Sequence, residues 1–320
     1  VRDRVFVRGS PKVPGTQVEP SNLEALSRDN RIDGPGSRRL QLADEWTDPK
    51  KTPMVPRVAV NRLWHHLFGR GIVQSVDNLG VLGDSIQNQD LLDLLSIDFI
   101  QNGWSSRRMI KRLVLTKSWR QSSETNPRAL TVDPENRLVH HFRPKRMSGE
   151  SIRDNLLRVS GRLGEKRFGP PTPPWINDFQ EGRGRPNSGK LDEDGRRSIY
   201  VGVRRNFLSN WMLTFDTPIP FSTVGRRTES HVPAQSLILM NHPLVHDLCQ
   251  TWGQKMATMP GDPVERIRSM FREALGREPN GEEIATCLDF IKSRGNPADP
   301  ESWKGLAHIL VNTREFVFIR

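Results

Sequence analysis

Apolar residues recur at helical spacing along most of this chain. Val60, Leu63, Trp64 and Leu67 follow the i, i+3, i+4, i+7 pattern of a single apolar helix face. Comparable stripes predict further helices over residues 91–100, 109–114, 152–163, 233–242, 264–275, 284–291 and 302–310. The leucine-rich second helix is apolar on nearly every side, so we expect it to be buried. The first three helices have short connections, which predicts a packed bundle.

Serine and proline residues mark the ends of several of these helices. Ser148 is placed to cap the fourth helix, and Ser302 is placed to cap the last one. Pro243 should break or kink the helix that begins at Pro233, because proline lacks the amide hydrogen that a helix interior needs.

The clearest strand pattern follows the longest loop. Ile199, Val201 and Val203 alternate with less apolar positions, which predicts a strand. We expect residues 5–7 to be its partner. The preceding segment, 164–195, is rich in glycine and proline, and a loop of this length is usually either functional or disordered.

These elements together predict a mainly α fold. It would be an irregular multi-helix domain with a small β element near 197–204 and long Gly/Pro-rich loops. The change of pattern suggests a division near residue 195: residues 1–195 form an N-terminal helical part with an extended leading segment, and residues 196–320 form a short strand followed by a C-terminal helical part. The alternative is one continuous domain in which both parts share a core.

The chain is strongly basic, and arginine supplies most of the positive charge. The net charge is +11, and 37 arginines outnumber 11 lysines. The arginines are dispersed, often as pairs such as Arg204-Arg205 and Arg226-Arg227, and they form no basic block. Because arginine suits planar carboxylate contacts and 37 acidic residues are available, we expect many internal ion pairs. Charge without a motif argues against nucleic acid as the partner.

The sequence lacks the motifs of several kinds of cofactor site and lacks a membrane-spanning segment. The two cysteines, Cys249 and Cys287, form neither a C-x-x-C-H haem site nor a C-x-x-C pair, so we expect no cofactor in this chain. Whether they are bonded stays open, because sequence does not set their distance. No apolar run is long enough to span a bilayer. The chain begins at Val1 without a signal peptide, so we expect a fragment or a processed product.

Two histidines four residues apart resemble part of a zinc site. His242 and His246 could share a helix face, but Pro243 lies between them and no adjacent glutamate completes an H-E-x-x-H motif. Neighbouring histidines such as His140 and His141 would point about 100° apart on a helix. We therefore predict no metal site.

Two groups of polar residues are candidates for a ligand site. Arg62, His66 and Arg70 lie at successive i, i+4 steps and could bind an anion or line a cleft. Residues near the predicted strand could converge on a carboxylate, sulfate or phosphate. The full candidate set is Asn61, Arg62, His66, Arg70, Arg197, Tyr200, Arg204, Asn206, Arg226, Arg227, Gln235 and Asn241. The alternative for the first group is a solvated or ion-paired helix face. The alternative for the second is a network of buried Arg–Asp and Arg–backbone bonds, with Asp154 and Asp216 as candidate partners.

Blocks of residues in a fixed order resemble a known family. The most recognisable is the run 61–73, which begins Asn-Arg-Leu-Trp-His-His and ends Gly-Ile-Val. Further matching blocks are residues 77–80, 111–115, 119–123, 150–154, 159–161, 197–201, 204–206, 215–216, 224–227, 232–237, 272–279 and 312–316. Their order resembles planctomycete-specific domain one, the domain of unknown function numbered 1553. The chain departs from the family pattern at residues 87–89 and at His242.

The resemblance implies an architecture rather than a reaction. Such domains end long exported proteins, often with a cytochrome-c-like domain, and their genes often lie beside those of a sulfatase-like family. The resemblance therefore implies an accessory or interaction domain that packs against a cytochrome-c-like or other neighbouring domain of the same polypeptide. It also implies an extracytoplasmic location, c-type haem on that neighbour, and a sulfatase-like protein encoded nearby as a further partner. The alternative function is an enzyme of unknown type that acts on an anionic polysaccharide through an Arg-rich pocket.

Overall fold

The computed structural model describes residues 4–23, 32, 36–296 and 298–319. The chain forms two compact units, Val1–Arg143 and Pro144–Arg320, which we call the N-terminal and C-terminal units. Most of the regular structure is helical, which confirms the mainly α fold. A domain division near residue 195 stays a prediction.

The described residues of the N-terminal unit contain five α-helices. They are α1 (Arg38–Thr47), α2 (Met54–Phe68), α3 (Gln89–Gln101), α4 (Ser106–Val114) and α5 (Pro127–Val132). α2, α3 and α4 surround an apolar core that includes Val60, Leu92, Phe99, Met109 and Leu113. This arrangement confirms the predicted packing of the first three strong helices.

α3 is less buried than its composition predicts. Leu92 and Leu95 face the core, but Leu94 and Ile97 are 63% and 52% exposed. α3 packs against α2 on one side, and apolar residues on another side stay exposed. The expectation that this helix is buried all round is therefore wrong. Sequence alone cannot tell a helix that is covered on every side from one that keeps apolar residues at the surface.

The described residues of the C-terminal unit contain eight α-helices. They are α6 (Gly149–Val159), α7 (Asn210–Thr214), α8 (Pro233–Asn241), α9 (Pro243–Thr258), α10 (Pro263–Leu275), α11 (Gly281–Arg294), α12 (Pro300–Val311) and α13 (Arg314–Val317). Their shared core contains Trp252 and Trp303, both essentially inaccessible. α9 lies against α12 at Gly253, where a Cβ would come within 2.6 Å of the Lys304 amide nitrogen. Glycine is therefore needed there for the close approach of the two helices.

The helix ends follow local capping chemistry, with one exception to the sequence prediction. Ser148 accepts a hydrogen bond from the Ser151 amide and caps α6 as predicted. α12 is capped by Asp299, whose carboxylate accepts from the Glu301 amide at 3.0 Å. Ser302 lies inside that helix and is fully buried, so its predicted capping role is wrong. An acidic side chain before Pro300 is the better cap because proline suits the first helical turn.

Pro243 separates two helices, as its chemistry predicts. α8 ends at Asn241, and His242 has an extended backbone with φ −69° and ψ 131° before α9 begins at Pro243. A single helix through this point would need the amide hydrogen that proline lacks.

The β structure is confined to short pieces. In the N-terminal unit β1 (Arg4–Phe6) pairs antiparallel with β2 (Pro14–Gln17), and in the C-terminal unit β3 (Lys145–Arg146) pairs antiparallel with β4 (Phe318–Ile319). The strand predicted over 198–203 is instead a 3₁₀ turn, Ser198–Tyr200, and the β element near 197–204 is one parallel bridge between Val201 and Thr172.

The predicted pairing of residues 5–7 with that strand is also wrong, because Arg4–Phe6 pairs with Pro14–Gln17. Ile199 and Val203 are 81% and 69% exposed, so their alternation reflects no buried sheet face. In the described part of the chain, no helix combines the length and the apolar composition needed to cross a membrane.

Candidate functional site

A buried arginine fastens the long loop of the C-terminal unit to α6. Arg153 is 2% exposed, and its guanidinium donates to the Arg196 carbonyl at 2.9 Å and to the Asp192 carbonyl at 2.8 Å. It also lies 2.8 Å from the Glu193 carboxylate, an ion pair without hydrogen-bond alignment. Burial raises the pKa of Glu193, and the charge of Arg153 opposes that shift. One side chain thus holds the end of the loop.

Arg196 extends this network to the first part of the loop. Its buried guanidinium donates to the Phe168 carbonyl at 2.8 Å and to the Pro170 carbonyl at 2.9 Å. It also stacks 4.5 Å from the centre of the Tyr200 ring. The candidate Tyr200 is therefore a packing partner of an internal arginine, an arrangement that guanidinium planarity favours.

The two carboxylates expected to hold arginines both do so. Asp154 lies 3.4 Å from Arg153, and it accepts from the Ser198 amide at 2.8 Å and the Ser198 hydroxyl at 2.7 Å. Asp216 lies 2.6 Å from the buried Arg146 guanidinium. Both acids therefore bind arginines, but their partners are Arg153 and Arg146 and not the arginines near the predicted strand.

Gln235 belongs to the same internal network. Its side-chain amide donates to the carbonyls of Thr214 and Ser230, each at 3.1 Å. Ser230 in turn donates to Asp216 through its amide and its hydroxyl, both at 2.8 Å. Asp216 has φ 60°, an uncommon conformation for a residue other than glycine. The candidate Gln235 therefore stabilises the chain around α7 and the start of α8.

Two further ties connect helices. Arg227 makes a bidentate contact with Glu150 in the first turn of α6, with both nitrogen–oxygen distances 2.8 Å. Arg277 lies 2.7 Å from both Glu283 and Glu315, and so links the start of α11 to α13. Glu283 also accepts from the Asn280 amide, and Arg277 lowers its pKa to about 2.

Other candidates of the C-terminal unit lie at the surface. Arg197, Arg204, Asn206 and Arg226 are exposed, and their side chains make no hydrogen bond or ion pair among the described residues. Asn241 donates to the Leu237 carbonyl one turn earlier in α8, at 2.9 Å. The structure therefore brings Arg227 and Gln235 into internal contacts, and leaves most of the remaining candidates of this unit available to solvent.

In the N-terminal unit, Asn61 is a buried backbone clamp. It is completely buried, and its side chain both donates to the Val73 carbonyl and accepts from the Val73 amide, each at 2.9 Å. A Cβ on Gly71 would lie 2.9 Å from Asn61 Oδ1 and 2.3 Å from the Val73 carbonyl oxygen. Asn61 and Gly71 thus act together to return the chain against α2.

The three candidates expected on one helix face have different surroundings, because α2 ends at Phe68 and Arg70 lies beyond it. Arg62 is exposed and makes no side-chain hydrogen bond or ion pair with the described residues. His66 is exposed, with its ring 5.5 Å from that of His65. Arg70 lies 3.1 Å from Glu135 and donates to Gln74 at 2.8 Å.

A cavity of about 540 Å³ lies in the N-terminal unit between α2, α3 and residues 132–143. One wall is formed by the rings of Trp64 and Phe68, which stack with their centres 4.0 Å apart. The charged and ionisable residues that line it are Arg70, Asp133, Arg137, His141 and Arg143. Sequence reasoning included Arg70 in the candidate set and missed Asp133 and His141. The available signal was the adjacent pair His140-His141, three residues after the Asp-Pro-Glu-Asn segment 133–136.

A more open groove of about 680 Å³ lies in the C-terminal unit. Its polar side includes Asp154 and the candidate Arg197, and its apolar side includes Phe316 and Phe318. Arg197 is exposed at this groove and has no hydrogen-bond or ion-pair partner among the described residues, whereas Asp154 is already bound to Ser198. The groove can therefore offer a positive charge to a ligand, but one of its carboxylates is engaged.

His242 serves a structural role. Its Nδ1 accepts from the Leu244 amide at 3.2 Å and caps α9, while its ring contacts Trp175 and Trp211. Burial lowers its pKa to about 4. Among the residues that the structure describes, no three His, Cys, Asp or Glu side chains gather in a way that could hold a metal ion.

Comparison with known proteins identifies the family. A family model described as PSD1, protein of unknown function (DUF1553), matches residues 38–291. The match covers most of the chain, including the clamp at Asn61 and the ties at Arg153 and Asp216. A search of curated proteins and a search of solved structures each found no match. The chain therefore belongs to the PSD1 family of proteins of unknown function, DUF1553.

Proposed function

We propose that this chain is an accessory interaction domain of a longer exported protein, in which it packs against a neighbouring domain of the same polypeptide. We further propose an extracytoplasmic location, with a cytochrome-c-like domain that carries c-type haem as the neighbour. The proposal rests on the resemblance of the sequence blocks and on one feature of the C-terminal unit, an apolar surface around α7 and α8.

That feature is a concentration of exposed apolar side chains on two packed helices and the segment that joins them. The α7–α8 surface comprises Leu213, Ile219, Phe221, Val224, Val232, Leu237 and Met240, which are between 42% and 66% exposed. A concentration of exposed apolar side chains is typical of interaction sites in soluble proteins, because their burial against a partner is favourable. This is the observation that carries the proposal.

Charge indicates the chemistry of the partner. Arg226 lies within the segment of the α7–α8 surface, and Arg204 and Arg205 are exposed in the same unit. None of the three has an ion-pair partner among the residues that the structure describes. The whole chain has a net charge of +11. A second copy would bring like charges together, whereas a neighbouring domain with an acidic surface would be attracted. We therefore expect an acidic face on the neighbouring domain.

The buried arginine ties suit such an architectural role. Arg146, Arg153 and Arg196 are each at most 5% exposed and direct their guanidinium groups to backbone carbonyls and carboxylates of the same unit. Contacts of this kind specify the positions of long irregular segments more than they add net stability. They would keep the α7–α8 surface in a defined shape for docking.

The test compares the isolated chain with the complete gene product, by hydrogen exchange of residues 213–240. We expect slower exchange in the complete protein, because the neighbouring domain would cover the α7–α8 surface. A complete protein that lacks a further domain, or identical exchange in both, would contradict the proposal. Absorbance of the complete protein reports whether the neighbour carries haem, and export is measured by cell fractionation.

Paired variants sharpen this test. In the complete protein, Phe221→Ser combined with Leu237→Ser should raise exchange of residues 213–240 towards the rate of the isolated chain. Ile309→Ser is the matched control, since Ile309 is 49% exposed on α12 of the same unit and outside the α7–α8 surface. If exchange slows only when the sulfatase-like protein encoded nearby is added, the partner is that protein and not the neighbouring domain.

A second candidate function is an enzyme that acts on an anionic polysaccharide. The observation that favours it is the groove beside the unpaired Arg197. Binding of dextran sulfate that is lost in Arg197→Ala, but retained in the exposed control Arg204→Ala, would support this candidate. Equal loss in both variants would indicate attraction by net charge alone.

A further inference from the structure

We propose that the cavity of the N-terminal unit binds a small hydroxylated aromatic acid, with His141 Nε2 as the acceptor for the hydroxyl of the ligand. This site is separate from the proposed docking surface, and it goes beyond an accessory role by assigning a ligand class to this chain.

A chain of hydrogen bonds determines which nitrogen of His141 carries the proton. His140 Nε2 lies 3.1 Å from the Asp133 carbonyl oxygen. Because a carbonyl oxygen can only accept, Nε2 of His140 carries the hydrogen and, in the neutral ring, Nδ1 is an acceptor. That Nδ1 lies 3.2 Å from His141 Nδ1, which must therefore donate. His141 Nε2 is left with its lone pair.

His141 is held neutral beside the cavity. It is 8% exposed and lines the cavity wall, and its Nε2 makes no hydrogen bond with the described residues. Burial lowers the pKa of His141, and it is lowered further by the charge that His140 carries only when protonated and by the charge of Arg143, although Asp133 opposes this shift. A neutral, buried imidazole without a partner for one nitrogen is a group that a ligand hydroxyl would satisfy.

The loop that carries the two histidines is rigidly built. The Asp133 carboxylate accepts from the amides of Arg137 and Leu138 at 2.9 and 2.8 Å. Asn136 donates to the His141 carbonyl at 2.9 Å. Val139 has φ 54°, which is strained for a β-branched residue, and it directly precedes the histidine pair. Strain of this kind persists where the surrounding contacts hold it, and it concentrates at functional sites.

The walls of the cavity favour an aromatic ligand body. The cavity that His141 lines is also lined by the stacked rings of Trp64 and Phe68 and by Leu91 and Leu95. The volume of about 540 Å³ lies within the range of small-molecule sites. A flat apolar ring could therefore pack on this wall while a polar substituent reaches His141.

The charges at the cavity favour an acid. Arg70, Arg137 and Arg143 line it, whereas the nearby carboxylates are Asp133 and Glu135, which leaves an excess of one positive charge. Arg70 and Arg137 share the single carboxylate of Glu135, with distances of 3.1 and 3.0 Å. Their remaining guanidinium hydrogens can bind a ligand carboxylate.

The test is calorimetric titration with 4-hydroxybenzoate, benzoate and phenol. We expect 4-hydroxybenzoate to bind about tenfold more tightly than benzoate, because benzoate leaves His141 Nε2 without a donor. Phenol should bind more weakly than 4-hydroxybenzoate because it lacks the carboxylate. Equal affinity for 4-hydroxybenzoate and benzoate, or no binding at about 1 mM ligand, would overturn the proposal.

A variant and a spectroscopic measurement complete the test. His141→Phe should weaken 4-hydroxybenzoate about tenfold and leave benzoate unaffected, whereas His66→Phe, an exposed ring on α2 outside the cavity, should change neither. In the unaltered chain, ¹⁵N resonances of His141 should show hydrogen on Nδ1 and none on Nε2, with Nε2 shifting on addition of 4-hydroxybenzoate. Hydrogen on Nε2 would overturn the proposal even if His141→Phe failed to fold.

Discussion

Arg153 and Glu193 form an ion pair at 2.8 Å in which both side chains are more than nine-tenths buried. Arg153 lies on α6, and Glu193 begins the 3₁₀ turn that ends the long loop. The cost of removing two charges from water offsets much of their attraction, so the net contribution of such a pair to the free energy of unfolding is small. Removal of one partner is costly, because the other charge stays buried. The pair therefore determines where the loop is anchored.

Arg153→Met should strongly destabilise the C-terminal unit. We expect the free energy of unfolding to fall by about 3–5 kcal/mol, because Glu193 would be left as an unpaired buried carboxylate. Urea unfolding measures this. Adding Glu193→Gln should recover part of the loss, and Arg204→Met, at an exposed unpaired arginine, should stay within about 0.5 kcal/mol of the original chain. A similar small effect for Arg153→Met would contradict this role.

Glu283 should make stability depend on pH in the acid range. Arg277 holds the pKa of Glu283 at about 2, below its usual 4.5. A carboxylate with a lowered pKa in the folded state stabilises fully above 4.5, and this stabilisation is lost as the pH falls through about 2. The stability difference between the original chain and Glu283→Gln should therefore shrink over that interval. Glu282→Gln, at the exposed neighbour, should show no such change.

Asn61→Ala should destabilise the N-terminal unit. The change removes both partners of the Val73 backbone, which is completely buried, so an amide and a carbonyl would be left unsatisfied. We expect a loss of about 2–4 kcal/mol in the free energy of unfolding. Asn241→Ala is the control, since the exposed Asn241 side chain bonds only within its own helix. Equal effects of the two substitutions would be inconsistent with the clamp.

The two cysteines should be unreactive in the folded chain. Both thiols are free and buried in the core of the C-terminal unit, and burial raises the pKa of Cys249 to about 12 and of Cys287 to about 11. Because the thiolate is the reactive form, a disulfide reagent should label neither cysteine in the folded state and both in denaturant. Rapid labelling before unfolding, or none after it, would show that the thiols are exposed or bonded.

Local chemistry in the sequence was sufficient for most helices. The apolar spacing in α2, α4 and α10 and the serine before α6 act within a few residues, so they can be recognised without knowledge of the fold. Asp154 and Asp216 could also be named as arginine partners, but the arginines that they bind, Arg153 and Arg146, could not. The same approach failed for residues 198–203, where alternation occurs without a neighbouring strand.

The amino-acid sequence by itself determined the helical class, the break at Pro243 and the excess of arginine, because these depend on residue type and on spacings of a few positions. Only the tertiary structure decided that Gln235 joins an internal network, that α3 is exposed along one side, and that His141 lines a cavity. These properties depend on contacts between residues that are distant in the chain. Burial and the choice of ion-pair partner are decided when segments such as α6 and the long loop pack together. No local sequence pattern specifies which segments do so.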